Sequence, residues 1–353
     1  MRYFKMKRKN VTIKDIAQYA GVSTMTVSYV LNKNSKQTIS EATRKKVLEA
    51  VETLHYVPSN TAKALRSNKT QCIGVYLCHS TTHKRYSLVL DGLRSYLNKY
   101  DYHVLLCSNT TNLSMNGIPE YLNCYLNHKA DGIIYVGRDG IDIPPSELDL
   151  IENYKIPVTA IDCKNITPDI SSVDFNYYQS AFQHALYLLE NGANNLVYLR
   201  AGQDTLQERE HEFGLKEAVS RYPNATLSIC RIPLARMERN TNFSEPNDTQ
   251  KLFSHLRTLS QEQCSRLSGR DAIICGWGLF VEEVYAEVMK LCPTLQVAGL
   301  AEGSLDVDIW KNLSYSVIPS FHAGQLCAEL MLQQIDHAAV EKKLLETRLE
   351  YSK

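Results

Sequence analysis

The chain has 353 residues, with 39 Lys and Arg against 38 Asp and Glu, a formal net charge of +1, and 44% hydrophobic residues. That length points to two or three structural units, and the apolar fraction excludes a wholly disordered chain. No run approaches the roughly 18 consecutive apolar residues of a membrane-spanning helix. The basic start, Met1 to Lys9, is not followed by the apolar core of a signal peptide. These features predict a cytoplasmic protein without a membrane partner. The near-zero total conceals an asymmetry: residues 1–69 hold 14 Lys and Arg but 4 Asp and Glu, a net of +10, which leaves −9 for the rest. A small basic head on a large acidic body suggests that the head alone meets a polyanion.

In the head, Thr12-Ile-Lys-Asp15 is a helix start signal. Ile13, Ile16, Ala17 and Ala20 follow at helical spacing. Gly21 supplies the turn that ends this helix. Ser23 is placed to cap a second helix, Thr24 to Leu31, with Val27, Val30 and Leu31 facing inward. A third helix starts at Ser40, and Val47, Leu48, Val51 and Leu54 mark its apolar face. Two short helices about a glycine turn, backed by a third, form a helix-turn-helix pattern. The pattern alone is weak, and the +10 charge strengthens it.

The run from Val11 to Asn32 (Val-Thr-Ile-Lys-Asp-Ile-Ala-Gln-Tyr-Ala-Gly-Val-Ser-Thr-Met-Thr-Val-Ser-Tyr-Val-Leu-Asn) resembles the head of the lactose-repressor (LacI) family. Thr43-Arg-Lys-Lys-Val47 and Leu54-His-Tyr-Val-Pro-Ser-Asn60 continue the match. The resemblance implies a sequence-specific transcription regulator, a homodimer on double-stranded operator DNA, and no enzymatic activity. It places Thr24, Met25 and Tyr29 where base edges are read, and Thr12, Ser23, Thr26, Ser28 and Asn32 where the DNA backbone is gripped. Arg44 adds a salt-dependent phosphate contact. Capping is the simpler role for Thr12 and Ser23, and the two roles coexist. Where the family commonly has Arg, this chain has Tyr29, which cannot make a bidentate fork to guanine. An operator different from the usual one, or weaker readout at that base pair, is expected.

The stretch Ser59 to Arg66 resembles the family's hinge helix, with Leu65 as the minor-groove wedge, Ala62 at the close contact and Arg66 on phosphate. These readings divide the chain into a headpiece at 1–57, a hinge linker at 58–69 and an effector-binding and dimerisation domain at 70–353.

From Cys72 onward strands and helices alternate. Strands are expected at Ile73–Cys78, His103–Cys107, Gly132–Gly137, Val158–Asp162, Leu196–Ala201, Leu227–Ile232, Ala272–Gly276, Gln296–Leu300 and Tyr315–Ile318. Alternation of this kind implies α/β architecture with parallel sheets covered on both faces. The family resemblance adds two Rossmann-like lobes of the periplasmic-binding-protein type, with crossings near Asp162, Leu291 and Pro319. The first lobe is then about 70–161 and 291–318, and the second about 162–290 and 319–353. Leu344 to Tyr351 resembles a single closing strand.

The cleft between such lobes departs from the family. The usual Arg is His211, with Arg209 as a displaced guanidinium, and the usual Asn-Asp pair is Trp277-Gly278. The candidate lining is His79, Tyr86, Asp162, Arg209, His211, Trp277 and Phe321. A small-molecule effector, a carbohydrate among the candidates, stands beside the alternative of a degenerate cleft that answers to a protein partner or to no ligand. His211 would make effector affinity pH-sensitive near neutrality. No cofactor and no metal are expected: no strand is followed by G-x-G-x-x-G or a phosphate loop, and none of the ten cysteines forms a C-x-x-C pair.

Overall fold

The computed structural model describes residues 11–31, 39–56, 69–78, 83–107, 117–137, 143–164, 167–232, 246–267 and 269–352. It divides the chain into two compact units, Met1–Thr70 and Gln71–Lys353.

The first unit packs α1 (Ile13–Ala20), α2 (Thr24–Leu31) and α3 (Glu41–Thr53) around Ile16, Ala17, Val27, Val30, Val47 and Ala50. Asp15 starts α1 by accepting from the Thr12 N–H and the Thr12 hydroxyl, each at 2.7 Å. Gly21 ends it at φ 64°, the left-handed conformation that a side chain resists. Ser23 Oγ accepts from Thr26 N at 3.0 Å, and Ser40 Oγ from Thr43 N at 3.2 Å, so both serines cap. One inward reading fails: Leu48 faces solvent, and Ala50 takes the core position on α3.

The second unit contains two six-stranded sheets. The first runs β11-β5-β4-β3-β1-β2, built from β1 (Cys72–Leu77), β2 (His103–Leu106), β3 (Gly132–Val136), β4 (Val158–Ile161), β5 (Ser171–Phe175) and β11 (Lys342–Leu345). All its pairings are parallel. The second runs β12-β10-β9-β8-β6-β7, built from β6 (Asn195–Ala201), β7 (Thr226–Ile232), β8 (Ala272–Cys275), β9 (Gln296–Gly299), β10 (Leu313–Val317) and β12 (Arg348–Tyr351). Only β12 in this sheet is antiparallel, to β10. Both lobes thus repeat one doubly wound strand order, in which ligands bind beyond the carboxyl ends of the strands.

The helices bury these sheets. In the first lobe α4 (Lys84–Leu97) and α11 (Ser320–Ile335) cover one face, while α5 (Glu120–Leu126) and α6 (Pro145–Asn153) serve the other. In the second lobe α7 (Tyr177–Glu190) and α8 (Leu206–Ser220) pack opposite α9 (Pro246–Cys264) and α10 (Gly278–Leu291).

The expected lobe boundaries require correction. β5 pairs with β4, so the chain stays in the first lobe past Asp162 and crosses between Phe175 and Tyr177. β9 and β10 continue the second sheet, so nothing crosses at Leu291. A crossing does lie at Pro319, but it runs back to the first lobe, where α11 packs. The closing segment is two strands, one in each sheet, joined across residues 346–347. Strand–helix alternation encodes parallel sheets, but sheet membership depends on the hydrogen-bonding partner, which alternation does not record.

Candidate functional site

On α2, Thr24 and Met25 are exposed and Ser28 and Tyr29 half-buried, while Val27 and Val30 point into the core. Positions 24, 25, 28 and 29 therefore share one outward stripe, opposite the buried one. Met25 is 63% exposed, a large apolar side chain held out of the core. Thr12 and Ser23 lie at the two helix starts, where backbone N–H groups and helix dipoles favour anions. Thr26 is half-buried, and Arg44 half-buried at the start of α3. The head thus offers a polar, apolar-tipped stripe flanked by hydroxyls and a guanidinium, suited to a DNA groove and its phosphates. Asn32 and the hinge positions Ala62, Leu65 and Arg66 lie outside the described residues.

In the second unit the loop after β4 meets the starts of α4 and α7, and the loop after β9 meets the starts of α4 and α10. Asp162, just beyond β4, is buried and adopts φ 59°. Its carboxylate accepts from Arg85 Nη2 at 2.8 Å and from the Tyr177 hydroxyl at 2.8 Å, and Arg85 also donates to Tyr177 Oη at 3.0 Å. Sequence reasoning missed Arg85 and Tyr177. It chose Tyr86 instead, which turns into the first-lobe core. Although burial alone would lower the Arg85 value, the neighbouring Tyr177 and Asp162 outweigh it and hold the guanidinium charged.

Across the cleft His211 is fully buried on α8, its ring edge-on to Tyr177 at 5.4 Å. The Tyr198 hydroxyl donates to Glu208 Oε2 at 2.6 Å, so the 3.2 Å contact makes His211 Nδ1 the donor to Tyr198 Oη. Nε2 is then a bare acceptor, and it has no hydrogen-bond partner. Burial, with Lys164 and Arg200 nearby, pushes the imidazole down to about 3. His211 is therefore neutral across the physiological range, which corrects the expected titration near neutrality.

Two ion pairs tie the lobes: Lys164 of the post-β4 loop with Glu210 of α8, and Lys84 with Glu302 at 2.9 Å. Arg209 turns outward to Asp204 at 3.1 Å, both side chains more than half exposed, and substitutes for no missing cleft guanidinium. Trp277 precedes α10, stacks on Phe280 at 5.4 Å and packs against the second-lobe core. A side chain at Gly278 would place its Cβ 2.3 Å from the Glu302 carbonyl oxygen. The post-β9 loop occupies the space the family's Asp would need.

Beside this loop lies a groove of about 690 Å³. Its wall combines Lys84, Leu88, Ser320 and Phe321 of the first lobe with Glu302 to Val307 and Tyr315 of the second. Phe321, 40% exposed, lines this groove. His79 lies outside the described residues, among which no group of His, Cys, Asp and Glu could hold a metal ion.

The three-helix head and the two-lobed α/β body, as separate units, have the element composition of a helix-turn-helix regulatory protein. Residues 12–59 match the family model described as bacterial regulatory proteins, lacI family. The chain is 30% identical over 344 residues, 96% of each chain, to the HTH-type transcriptional repressor PurR of Aliivibrio fischeri (strain MJ11). It is 32% identical over 221 residues to the PurR of Vibrio vulnificus (strain CMCP6), a match spanning 62% of this chain and 63% of that one. A lac repressor dimer bound to operator and the anti-inducer ONPF superposes with a TM-score of 0.74 at 18% identity, over 97% of this chain and 98% of that one. The chain belongs to the lacI family of bacterial regulatory proteins.

Proposed function

We propose that the protein is a dimeric, operator-binding transcriptional repressor whose DNA affinity is set by a small molecule between the lobes. The exposed α2 stripe on a compact three-helix head carries the DNA-binding reading. Binding-site selection with the full chain tests it. A two-fold symmetric site bound with steeply salt-dependent affinity is expected, and salt-independent binding without sequence preference would overturn it. The hinge residues Ala62, Leu65 and Arg66 join the head in this role, and Leu65→Ala should weaken operator binding while leaving stability unchanged.

The ligand class follows from charge. Arg85 is neutralised by Asp162 and Lys164 by Glu210, while His211 Nε2 offers a lone pair. The groove adds Glu302, Asp306, Glu346 and Glu350 against Lys84 and Arg348. Such a cleft favours neutral ligands that donate hydroxyl hydrogen bonds, carbohydrates foremost, over phosphorylated ones. The packing of Gly278 against Glu302 favours the second reading, a cleft filled by its own loop that answers to a protein partner or to no ligand. Thermal-shift titration with neutral sugars and their phosphates separates the two, because a bound ligand raises the melting temperature. A shift with neutral sugars supports the first, and no shift with either set supports the second.

A further inference from the structure

None of the ten cysteines is in a disulfide, and no C-x-x-C spacing pairs them in the sequence. In the fold two of them meet: Cys107 Sγ lies 3.5 Å from Cys124 Sγ. Cys107 directly follows β2, where its N–H donates to Val75 O at 2.9 Å and its side chain is partly exposed. Cys124 stands on α5, 6% exposed, within the cluster that holds Tyr76, Tyr121 and Tyr135. Gly74 on the neighbouring β1 leaves room for the sulfur, since a Cβ there would lie 3.1 Å from Cys107 Sγ. Cys264 and Cys292 form a second neighbouring pair, in which the Cys292 thiol donates to the Cys264 carbonyl at 3.3 Å and the two side chains also interact.

We propose that Cys107 and Cys124 are a site of reversible disulfide modification, formed by hydrogen peroxide and undone by a thiol reductant. The Cys124 thiolate attacks one peroxide oxygen. The O–O bond breaks, an S–O bond forms, and the departing hydroxide takes up a proton as water. The Cys107 sulfur then attacks the sulfenic sulfur, the S–O bond breaks, and a second water leaves as the S–S bond closes. The two sulfurs together lose two electrons and two protons, and the peroxide is reduced to two waters. The hydrogen bond from Cys107 and the charge of Lys129 favour the Cys124 thiolate, pulling that thiol below its ordinary value. The sulfurs must close to about 2.05 Å, a side-chain adjustment at the end of an edge strand. The bond would tie β2 to α5 across a separation of 17 residues.

The test is non-reducing peptide mapping of the full chain after stoichiometric peroxide and alkylation of the remaining thiols. A Cys107–Cys124 cross-linked peptide about 2 Da lighter than its reduced parts is expected, and dithiothreitol should abolish it. Cys275 and Cys327, both fully buried, should stay reduced. In Cys107→Ser the cross-link should vanish and dimedone should trap a sulfenic acid at Cys124. The proposal is overturned if Cys107 and Cys124 both remain alkylatable at a dose that oxidises other cysteines, or if either one pairs with a different cysteine.

Discussion

His184 and His211 are both fully buried in the second lobe, and both are pushed down to about 3 by burial. Their surroundings differ. His184 is satisfied at both nitrogens, by Ser316 Oγ at 3.0 Å and Ser314 Oγ at 2.8 Å, whereas His211 keeps a bare Nε2. Each ring binds a proton more readily when unfolded. Stability should therefore be full above the unfolded value of about 6.5 and fall as pH drops towards 3, by about 1.4 kcal/mol per pH unit per histidine. Urea unfolding at pH 7.5, 6.5 and 5.5 measures this, and His211→Gln should flatten the decline relative to the parent. Equal slopes would remove the histidine from the acid response. Arg85 makes a different prediction. Arg85→Met leaves Asp162 buried beside Tyr177 without its cation, and should cost about 3 kcal/mol in the same assay. Arg85→Met with Asp162→Leu should recover part of that loss, because the uncompensated charge is then gone.

Among the elements, α3 and α10 carry the sharper expectations. Arg44 at the start of α3 should contribute one phosphate contact, so Arg44→Ala should weaken operator binding evenly across sequences and reduce the logarithmic salt slope by about 1. At the start of α10, Gly278→Asp restores the family's residue but drives its Cβ against the Glu302 carbonyl. It should lower stability by about 1–3 kcal/mol without creating sugar affinity. A thermally neutral Gly278→Asp would show that the post-β9 loop yields easily. The elements were legible in the sequence where their signals were local. Thr12, Gly21, Ser23 and Ser40 marked the head's helix ends, and apolar runs such as Ala272–Cys275 marked buried strands. β5 was not recognised as a strand because Ser171, Ser172 and Asp174 interrupt its apolar pattern, although it is buried between β4 and β11. In the cleft, Asp162 and His211 stood out by the resemblance. Arg85, Tyr177, Lys164 and Glu210 did not, because they become a site only when two strand ends and two helix starts converge.

For the whole second unit, the pairs Lys84–Glu302 and Lys164–Glu210 are bolts between lobes that three chain crossings already join. Lys84 is well exposed while Glu302 is mostly covered, so high salt should weaken that pair first. Lys84→Met combined with Lys164→Met should let the lobes separate. The ligand-free radius of gyration by small-angle scattering should then exceed that of the parent, and an unchanged radius would mean that packing alone holds the lobes. The charge division bears on the same scale. The −9 of residues 70–353 should keep the body off phosphate while the +10 head engages it.

The last crossing places a short edge strand at the very end of the described residues. β12 pairs antiparallel with β10 from Ser314↔Tyr351 to Val317↔Arg348, and Tyr351 stacks on Tyr187 at 4.8 Å. Without β12, the backbone donors and acceptors of β10 would form an open template at the margin of the second sheet, able to recruit strands from other copies. Shortening the chain after Thr347 spares β11 and every strand of the first sheet. Such a protein should keep its first lobe and self-associate through the second, in a concentration-dependent way that light scattering would follow. The final short strand is itself the edge of the second sheet, and its removal would replace a four-residue edge by the longer, more buried β10.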